Sequence, residues 1–244
     1  HHHPMELHAT IASWDNGGVL VYASQQIVDD AAISISATFQ IPKKNVRVIS
    51  SFVGGGFGSK LNLERHVILA VMASKMIGKP VQATVTRTQM FTNTGMRQKN
   101  EQTMKVGAKK DGTLTALYHD TLSHTSATQT YQEQCGLVTK MLYNTPNNKV
   151  LHRLISMNLQ TPFSMRAPGE ATGSFALESA MDEMAWQLKM DPIEFRIKND
   201  TQKDLLEDRP FSSRLLTECL RIGADKFGWK NRKEQPRTNQ NGNW

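Results

Sequence analysis

A glycine-rich stretch contains the residues whose types and spacing best suit chemistry. Four of the five residues at positions 54–58 are glycines, and the fifth is Phe57. Glycine tolerates positive φ angles and lets a ligand approach the backbone closely. A β-rich run at 46–52 precedes the stretch, and a helical pattern begins near Leu63. The sequence therefore predicts a strand, a bare turn and a helix N-terminus, whose free N–H groups receive a phosphate or an oxyanion.

The spacing excludes two familiar phosphate loops. A P-loop requires Gly-x-x-x-x-Gly-Lys-[Ser/Thr], whereas Lys60 follows Ser59 rather than glycine. The dinucleotide fingerprint Gly-x-Gly-x-x-Gly has Ser59 in its last position when it starts at Gly54, and Leu61 when it starts at Gly56. Two interpretations remain: an anion-binding turn, and a tight glycine turn without a ligand.

A second candidate stretch, 161–169, lies between a predicted strand at 150–159 and a predicted helix at 170–188. Arg166 stands just before that helix, where a guanidinium can bind a phosphate or an oxo group through two hydrogen bonds. The alternative is a structural arginine that pairs with a carboxylate of the helix. We expect the core face of the helix to carry Phe175, Met181, Met184, Ala185 and Leu188.

Composition limits the class of protein. The 244 residues suffice for one large domain or two small ones, and 39% of them are hydrophobic. The net charge of +7 comes from scattered residues, so no nucleic-acid partner is expected. No apolar run is as long as a membrane span, no signal peptide is visible, and nothing indicates a cellular location. Cys135 and Cys219 lack metal-ligand spacing, which argues against a zinc or iron–sulfur site.

The order of the predicted elements indicates an α+β fold with an α/β-like layer of mixed sheets and packed helices. A hairpin turns at 15–18, Ser24 caps a helix that ends before Pro42, and a helix at 63–77 stops at Gly78. With strands at 46–52 and 80–87, this order predicts a βαβαβ layer.

Further elements are predicted downstream of that layer. The predictions are a loop or a short turn at 90–97, strands at 101–109 and 113–124, and helices at 132–142, 193–198 and 213–227. Residues 1–228 are expected to form one domain, with possible subdomain boundaries near 90–98 and 160. The last residues, 229–244, are expected to be a frayed polar tail.

A series of short motifs runs along the sequence, at positions 2–10, 24–26, 54–60, 86–87, 143–147, 165–169, 176–183 and 191–196. These motifs, in this order, resemble the large, molybdenum-binding subunit of the xanthine oxidase and aldehyde oxidoreductase family. Their residues are most similar to those of bacterial aldehyde oxidoreductases of the periplasmic type. The leading histidines then match native family sequence, although they also resemble the remnant of an expression tag.

The resemblance implies a molybdenum-cofactor-binding domain, with molybdopterin in its simple or its cytosine dinucleotide form. The loop would donate backbone N–H groups to the pterin and the metal's oxo or sulfido ligands, and no side chain would ligate the metal. The cofactor-binding residues implied are Gln26, Gly55, Gly56, Phe57, Gly58 and Arg166.

Two positions depart from the xanthine-type pattern. Leu61 stands where those members carry a glutamate, and Gln134 stands near the position of their substrate-binding arginine. A pocket without these anchors cannot satisfy the polar edge of a purine. We therefore expect an aldehyde or an aromatic heterocycle as substrate, with Leu61 and Gln134 in the substrate pocket.

The family's general base, a glutamate in a Gly-x-Gly-Glu motif, has no counterpart in these 244 residues. The reaction implied is oxidative hydroxylation with water as oxygen source, and electrons leave through iron–sulfur and flavin (FAD) partner subunits. We expect the isolated chain to be inactive and to bind the cofactor weakly or not at all. The alternatives are a non-catalytic binding or scaffold domain and an independent anion- or nucleotide-binding module.

Overall fold

A computed structural model describes residues 1–205 and 207–232. The chain forms two compact units. The first contains residues 1–100, 122–133 and 154–168, and the second contains residues 101–121, 134–153 and those from 169 onward. No helix in these described ranges is long and apolar enough to cross a membrane.

The first unit is built on a four-stranded mixed sheet. Its strands are β1 (Ala9–Asp15), β2 (Gly18–Ala23), β3 (Val46–Ile49) and β4 (Val81–Thr84), in the order β3-β2-β1-β4. Strand β1 runs antiparallel to β2 and β4, whereas β2 and β3 are parallel. Helices α1 (Val28–Phe39) and α2 (Arg65–Ile77) connect β2 to β3 and β3 to β4. The predicted βαβαβ layer is therefore confirmed, with β1 inserted between parallel strands.

The spacing of apolar residues explains the packing of this unit. Val19 and Val21 alternate along β2 and point inward, as expected for period two. In α2 the buried residues Val67, Ala70, Val71 and Ser74 recur at helical spacing. Ile35 of α1 is fully buried in the same core. The sheet and both helices thus share one apolar core, which fixes the loops that leave the strands.

The remaining strands form a three-stranded sheet and a short two-stranded one. The first has the order β5 (Asn100–Ala108), β6 (Leu114–Ser126), β7 (Asn148–Met157), and the second pairs β8 (Lys203–Asp204) with β9 (Arg209–Pro210). The predicted turn between β5 and β6 is present, with Gly112 at φ 86°.

Within residues 1–205 and 207–232 the further α-helices are α3 (Arg87–Asn93), α4 (Leu137–Met141), α5 (Glu170–Gln187), α6 (Pro192–Lys198) and α7 (Leu216–Phe227). In the second unit, α5 presents Leu177 and Met181 to a core that also contains Leu114 and Phe195. Asp191 caps α6 by accepting the N–H of Ile193 at 2.8 Å, as its position before Pro192 predicts.

Several local predictions are wrong. Residues 90–97 are not all loop, because α3 begins at Arg87 after a capping box between Thr86 and Gln89. Ser24 does not cap α1, since its hydroxyl donates to Glu6 and the helix begins at Val28. Phe175 is 78% exposed and does not belong to the core face of α5.

The end of the described chain is a short 3-10 helix at Trp229–Asn231. The indole N–H of Trp229 donates to Asp191 at 2.9 Å, and the Arg232 guanidinium lies 3.9 Å from the Trp229 ring. Most of the predicted polar tail, residues 233–244, lies outside the described residues.

Candidate functional site

The glycine loop has the strained backbone that its composition predicts. Gly55, Phe57 and Gly58 all have positive φ angles, of 94°, 56° and 105°. A Cβ on Gly56 would clash with the Gln26 side chain, and one on Gly58 would clash with the carbonyl of Ser164. The loop therefore requires glycine for close approach as well as for conformation.

The loop does not run directly into a helix. Helix α2 begins at Arg65, after an irregular connection over 61–64, and its N-cap Glu64 makes no side-chain capping bond. The helix N-terminus predicted to face an anion at this loop is thus displaced along the chain. The anion-binding capacity of the loop depends on its own backbone N–H groups instead.

Gln26 holds the loop through its side-chain oxygen. Its Oε1 accepts the N–H of Gly58 at 3.0 Å and that of Lys60 at 3.3 Å, while its own backbone N–H donates to the Lys60 carbonyl at 2.9 Å. The side-chain NH₂ of Gln26 has no acceptor among the residues described, and Gln26 is exposed. Gln26 therefore fixes the loop with one end of its amide and presents two N–H donors with the other.

A buried ion pair lies behind the loop. The Lys60 side chain is only 2% exposed, and its ammonium bonds to Glu6 and, at 3.0 Å, to the Ser24 hydroxyl. The same Glu6 oxygen accepts the N–H of Gly54 at 2.7 Å. Burial raises the pKa of the Glu6 carboxyl, but hydrogen bonds from Lys60, Ser24 and Gly54 outweigh it and lower the pKa below its usual value. The carboxylate thus ties both ends of the loop together.

The second candidate stretch lies against the first. The backbone N–H of Arg166 donates to the Phe57 carbonyl at 2.9 Å. Ala167 has a φ of 57°, which is rare for a residue with a Cβ and indicates a turn held by its surroundings. The structure therefore brings the two predicted anion-facing turns together, although 108 residues lie between Phe57 and Arg166 in the sequence.

Arg97 holds the turn in this conformation, and no sequence motif predicted this role. Its guanidinium donates to the carbonyls of Arg166 at 2.8 Å and Met165 at 3.2 Å. It also bonds to both oxygens of the buried Glu133 carboxylate at 3.2 Å. Arg97 lies at the end of a predicted loop, and its partners are 36 to 70 positions away, so no local pattern could reveal the contact.

The side chain of Arg166 is available to a ligand. It is exposed and makes no hydrogen bond or ion pair with any described residue. The alternative interpretation, a structural arginine paired with a helix carboxylate, is therefore not what the structure shows. Next to it, the N–H groups of Gly55, Gly56 and Phe57 donate to no acceptor in the described part of the chain.

The two predicted substrate-pocket residues fall in different units. Leu61 is half-buried in the first unit, and its N–H donates to the Gly58 carbonyl at 3.3 Å. Gln134 is exposed in the second unit, where its backbone packs closely against Gly169. Their roles toward a substrate stay predictions.

The leading histidines are part of the fold. His2 is 2% exposed, and its two ring nitrogens lie 3.0 Å from the Gly95 carbonyl and 2.9 Å from the Ser164 carbonyl. The His3 ring lies 4.3 Å from that of Phe91. Within residues 1–205 and 207–232, no cluster of three His, Cys, Asp or Glu side chains is placed to hold a metal ion.

Curated proteins resemble this chain along its whole length. The aldehyde oxidoreductase molybdenum-binding subunit PaoC of Escherichia coli K12 is 40% identical over 244 residues, which are 100% of this chain and 33% of PaoC. The xanthine dehydrogenase molybdenum-binding subunit of E. coli O157:H7 is 31% identical over 96% of this chain and 32% of that protein. The chain thus spans about a third of the length of these relatives.

Solved structures share the fold. The aldehyde oxidoreductase of Desulfovibrio gigas matches 95% of this chain and 27% of its own with a TM-score of 0.84 at 24% identity. Quinoline 2-oxidoreductase of Pseudomonas putida 86 matches 93% and 31% with a TM-score of 0.83 at 22% identity. These matches confirm the predicted fold class. A family model described as the molybdopterin cofactor-binding domain matches residues 1–200, and the chain therefore belongs to that family.

Proposed function

We propose that this chain forms one wall of the molybdenum-cofactor site of a longer enzyme that oxidises aldehydes or aromatic heterocycles with water as oxygen source. The observation that carries the proposal is a set of donors without described acceptors in the glycine loop, in Gln26, which bonds to the loop, and in the turn at Arg166, whose backbone bonds to it. It comprises the N–H groups of Gly55, Gly56 and Phe57, the Gln26 NH₂ and the Arg166 guanidinium.

The donor set fits the cofactor. The phosphate of a pterin cofactor and the oxo ligands of a metal are negatively charged hydrogen-bond acceptors. Fixed N–H dipoles and a guanidinium stabilise such groups. Glycine at 55 and 56 lets the Phe57 and Gln26 side chains lie close to the loop backbone, because a Cβ at either position would crowd them. When bound, the molybdenum centre supplies the two-electron oxidation and the activation of water.

Each residue has a defined task in this proposal. The Gln26 NH₂ would donate to a cofactor acceptor while its Oε1 keeps the loop in place. The loop N–H groups would bind the pterin, and Arg166 would neutralise its negative charge. Lys60, Glu6 and Arg97 would act as positioning residues, because they hold the loop and the turn.

The substrate class follows from the two pocket positions. Leu61 stands in place of the glutamate of the xanthine-type members, and Gln134 stands in place of their substrate-binding arginine. An apolar wall would accept an aldehyde or an aromatic ring but leave the polar atoms of a purine without partners. We propose iron–sulfur and FAD subunits as electron-accepting partners, and the simple or cytosine dinucleotide form of the pterin.

The isolated chain is proposed to be inactive, because its 244 residues contain no Gly-x-Gly-Glu motif to supply the general base. A chimera tests the whole proposal. The corresponding third of E. coli PaoC is replaced by this chain, and molybdenum, pterin and aldehyde oxidation are measured in the chimera and in the isolated chain.

We expect the assembled chimera to contain molybdenum and to oxidise an aromatic aldehyde but not xanthine. The isolated chain should fold without stoichiometric molybdenum and without activity. A folded, assembled chimera that lacks molybdenum would overturn the cofactor assignment. Activity toward xanthine but not aldehydes would overturn the substrate class, and aldehyde oxidation by the isolated chain would overturn its inactivity.

A further inference from the structure

A cavity of about 280 Å³ in the first unit is not used by the proposed cofactor site. It lies between the start of α2, strand β4 and helix α3. Its size suits a ligand smaller than the drug-sized molecules that fill pockets of roughly 300–1,000 Å³. Its polar lining includes His8, Glu64, Arg65, His66, Gln89 and Asn93.

Glu64 is the unusual member of this lining. It is 6% exposed, and its Oε1 is buried without a hydrogen-bond partner among the described residues. Glu64 is the N-cap of α2, yet its side chain makes no capping bond. A buried carboxyl without a donor is costly, so a missing donor at this position points to a ligand.

The neighbouring imidazoles offer further acceptors. The Ser59 hydroxyl already donates to the Gly56 carbonyl at 2.8 Å, so it can only accept from His8 Nε2, 3.2 Å away. Neutral His8 is thereby fixed as the Nε2–H tautomer, with a lone pair left on Nδ1. The centres of the His8 and His66 rings are 5.7 Å apart.

Glu64 is the one acidic side chain in the lining of this cavity, and the two imidazoles add no positive charge to it near neutral pH. Burial, together with nearby positive charge, lowers the pKa of both His8 and His66 to about 4, so both rings are neutral near pH 7. Lys60 acts on both rings, and His66, His2 and Glu6 also act on His8. Arg65 is the charged neighbour that acts on Glu64, and it is exposed to solvent.

We propose that this cavity binds a small organic cation, a primary ammonium or an amidinium group, with the Glu64 carboxylate as its counter-ion and His8 as a second acceptor. A metal ion fits less well, because no three His, Cys, Asp or Glu side chains in the described chain are arranged to hold one. His8 also links the cavity to the glycine loop through Ser59, so an occupied cavity would contact the back of that loop.

The test uses n-butylamine, which is cationic at pH 6 and at pH 8, and its neutral isostere 1-butanol. Binding to the 244-residue chain is followed by NMR titration. Burial raises the pKa of Glu64 to about 7, against the opposing effect of Arg65. Because the ionised fraction then rises about tenfold between pH 6 and pH 8, the apparent affinity for butylammonium should rise about tenfold as well.

Glu64→Gln should weaken butylammonium binding at pH 8 at least tenfold and remove its pH dependence. This variant removes a buried charge and is expected to fold; Glu64→Asp, which withdraws the carboxylate, should give an intermediate affinity. Glu183→Gln, at an exposed position of α5, is the matched control and should change nothing. Equal binding of 1-butanol, unchanged affinity in Glu64→Gln, or no binding at pH 8 would each overturn the proposal.

Discussion

The side-chain oxygen of Gln26 accepts the backbone N–H of Gly58 at 3.0 Å, so one amide both holds the glycine loop and keeps its NH₂ free. The roles of the oxygen and of the NH₂ group can therefore be tested separately by mutation. The acceptor end determines the loop conformation, and the donor end determines what the loop can bind.

Gln26→Glu keeps the acceptor and removes the donor. We expect the free energy of unfolding of the chain to change little, because the bonds from Gly58 and Lys60 remain. In the PaoC chimera, aldehyde oxidation should fall about 10²-fold, the usual cost of one lost oxyanion donor. Gln82→Glu, at an exposed position of β4, is the control. Equal losses in both variants, or full activity of Gln26→Glu, would contradict the donor role.

The buried pair of Glu6 and Lys60 should respond asymmetrically to mutation. Glu6→Gln leaves the Lys60 ammonium buried at 2% exposure without a countercharge, which should cost about 3 kcal/mol. Lys60→Met leaves a Glu6 side chain that is 35% exposed and still bonded to Gly54 and Ser24, so its cost should be smaller. Urea unfolding of both variants measures the difference, and a larger loss for Lys60→Met would refute this account.

Substitution of Arg97 and of Arg166, which lie at the same turn, should distinguish a residue that stabilises the fold from one that binds the cofactor. Arg97→Ala removes the donors to the carbonyls of Met165 and Arg166, and should lower the free energy of unfolding by about 2 kcal/mol. Arg166→Ala removes an exposed guanidinium without a described partner and should stay within about 0.5 kcal/mol. Both should reduce the molybdenum content of the chimera. The assignment fails if Arg166→Ala destabilises the chain as much as Arg97→Ala.

Titration of the Glu64 carboxyl should lower the free energy of unfolding of the chain as the pH rises. Its folded-state pKa of about 7 lies above the ordinary glutamate value of 4.5, so the folded state binds more protons than the unfolded state between these values. The stabilisation is complete below pH 4.5 and is lost as the pH rises through 7. Relative to wild type, Glu64→Gln should therefore become more stable by up to about 3 kcal/mol between pH 4.5 and pH 8.

Urea unfolding of both proteins at the two pH values checks this prediction. In the wild-type chain, His8 and His66 have the opposite effect to Glu64. Because their pKa values are lowered to about 4, the free energy of unfolding rises with pH between 4 and 6.5. Both histidines remain in Glu64→Gln, so the difference between the two proteins isolates the carboxyl. A difference that does not change with pH would show that Glu64 titrates normally in the folded chain.

The sequence by itself determined many of the turns, strands and helices, and it determined the family. Gly17 and Gly112 specify their turns because both need positive φ angles, and Gly78 ends α2 in the left-handed conformation for the same reason. Apolar residues at periods of two and 3.6 specify the strands and most helices. Motif order was enough to identify the family, because each motif is a local string of residues.

Only the tertiary structure decided how the candidate site is held. The burial of Lys60 against Glu6, the bond between Phe57 and Arg166, and the Arg97 contacts all join residues far apart in the sequence. Such contacts depend on how the strands, helices and loops pack, which no local pattern records. The same reason explains the exposed Phe175: helical periodicity defines a face, but only neighbouring elements decide whether that face is covered.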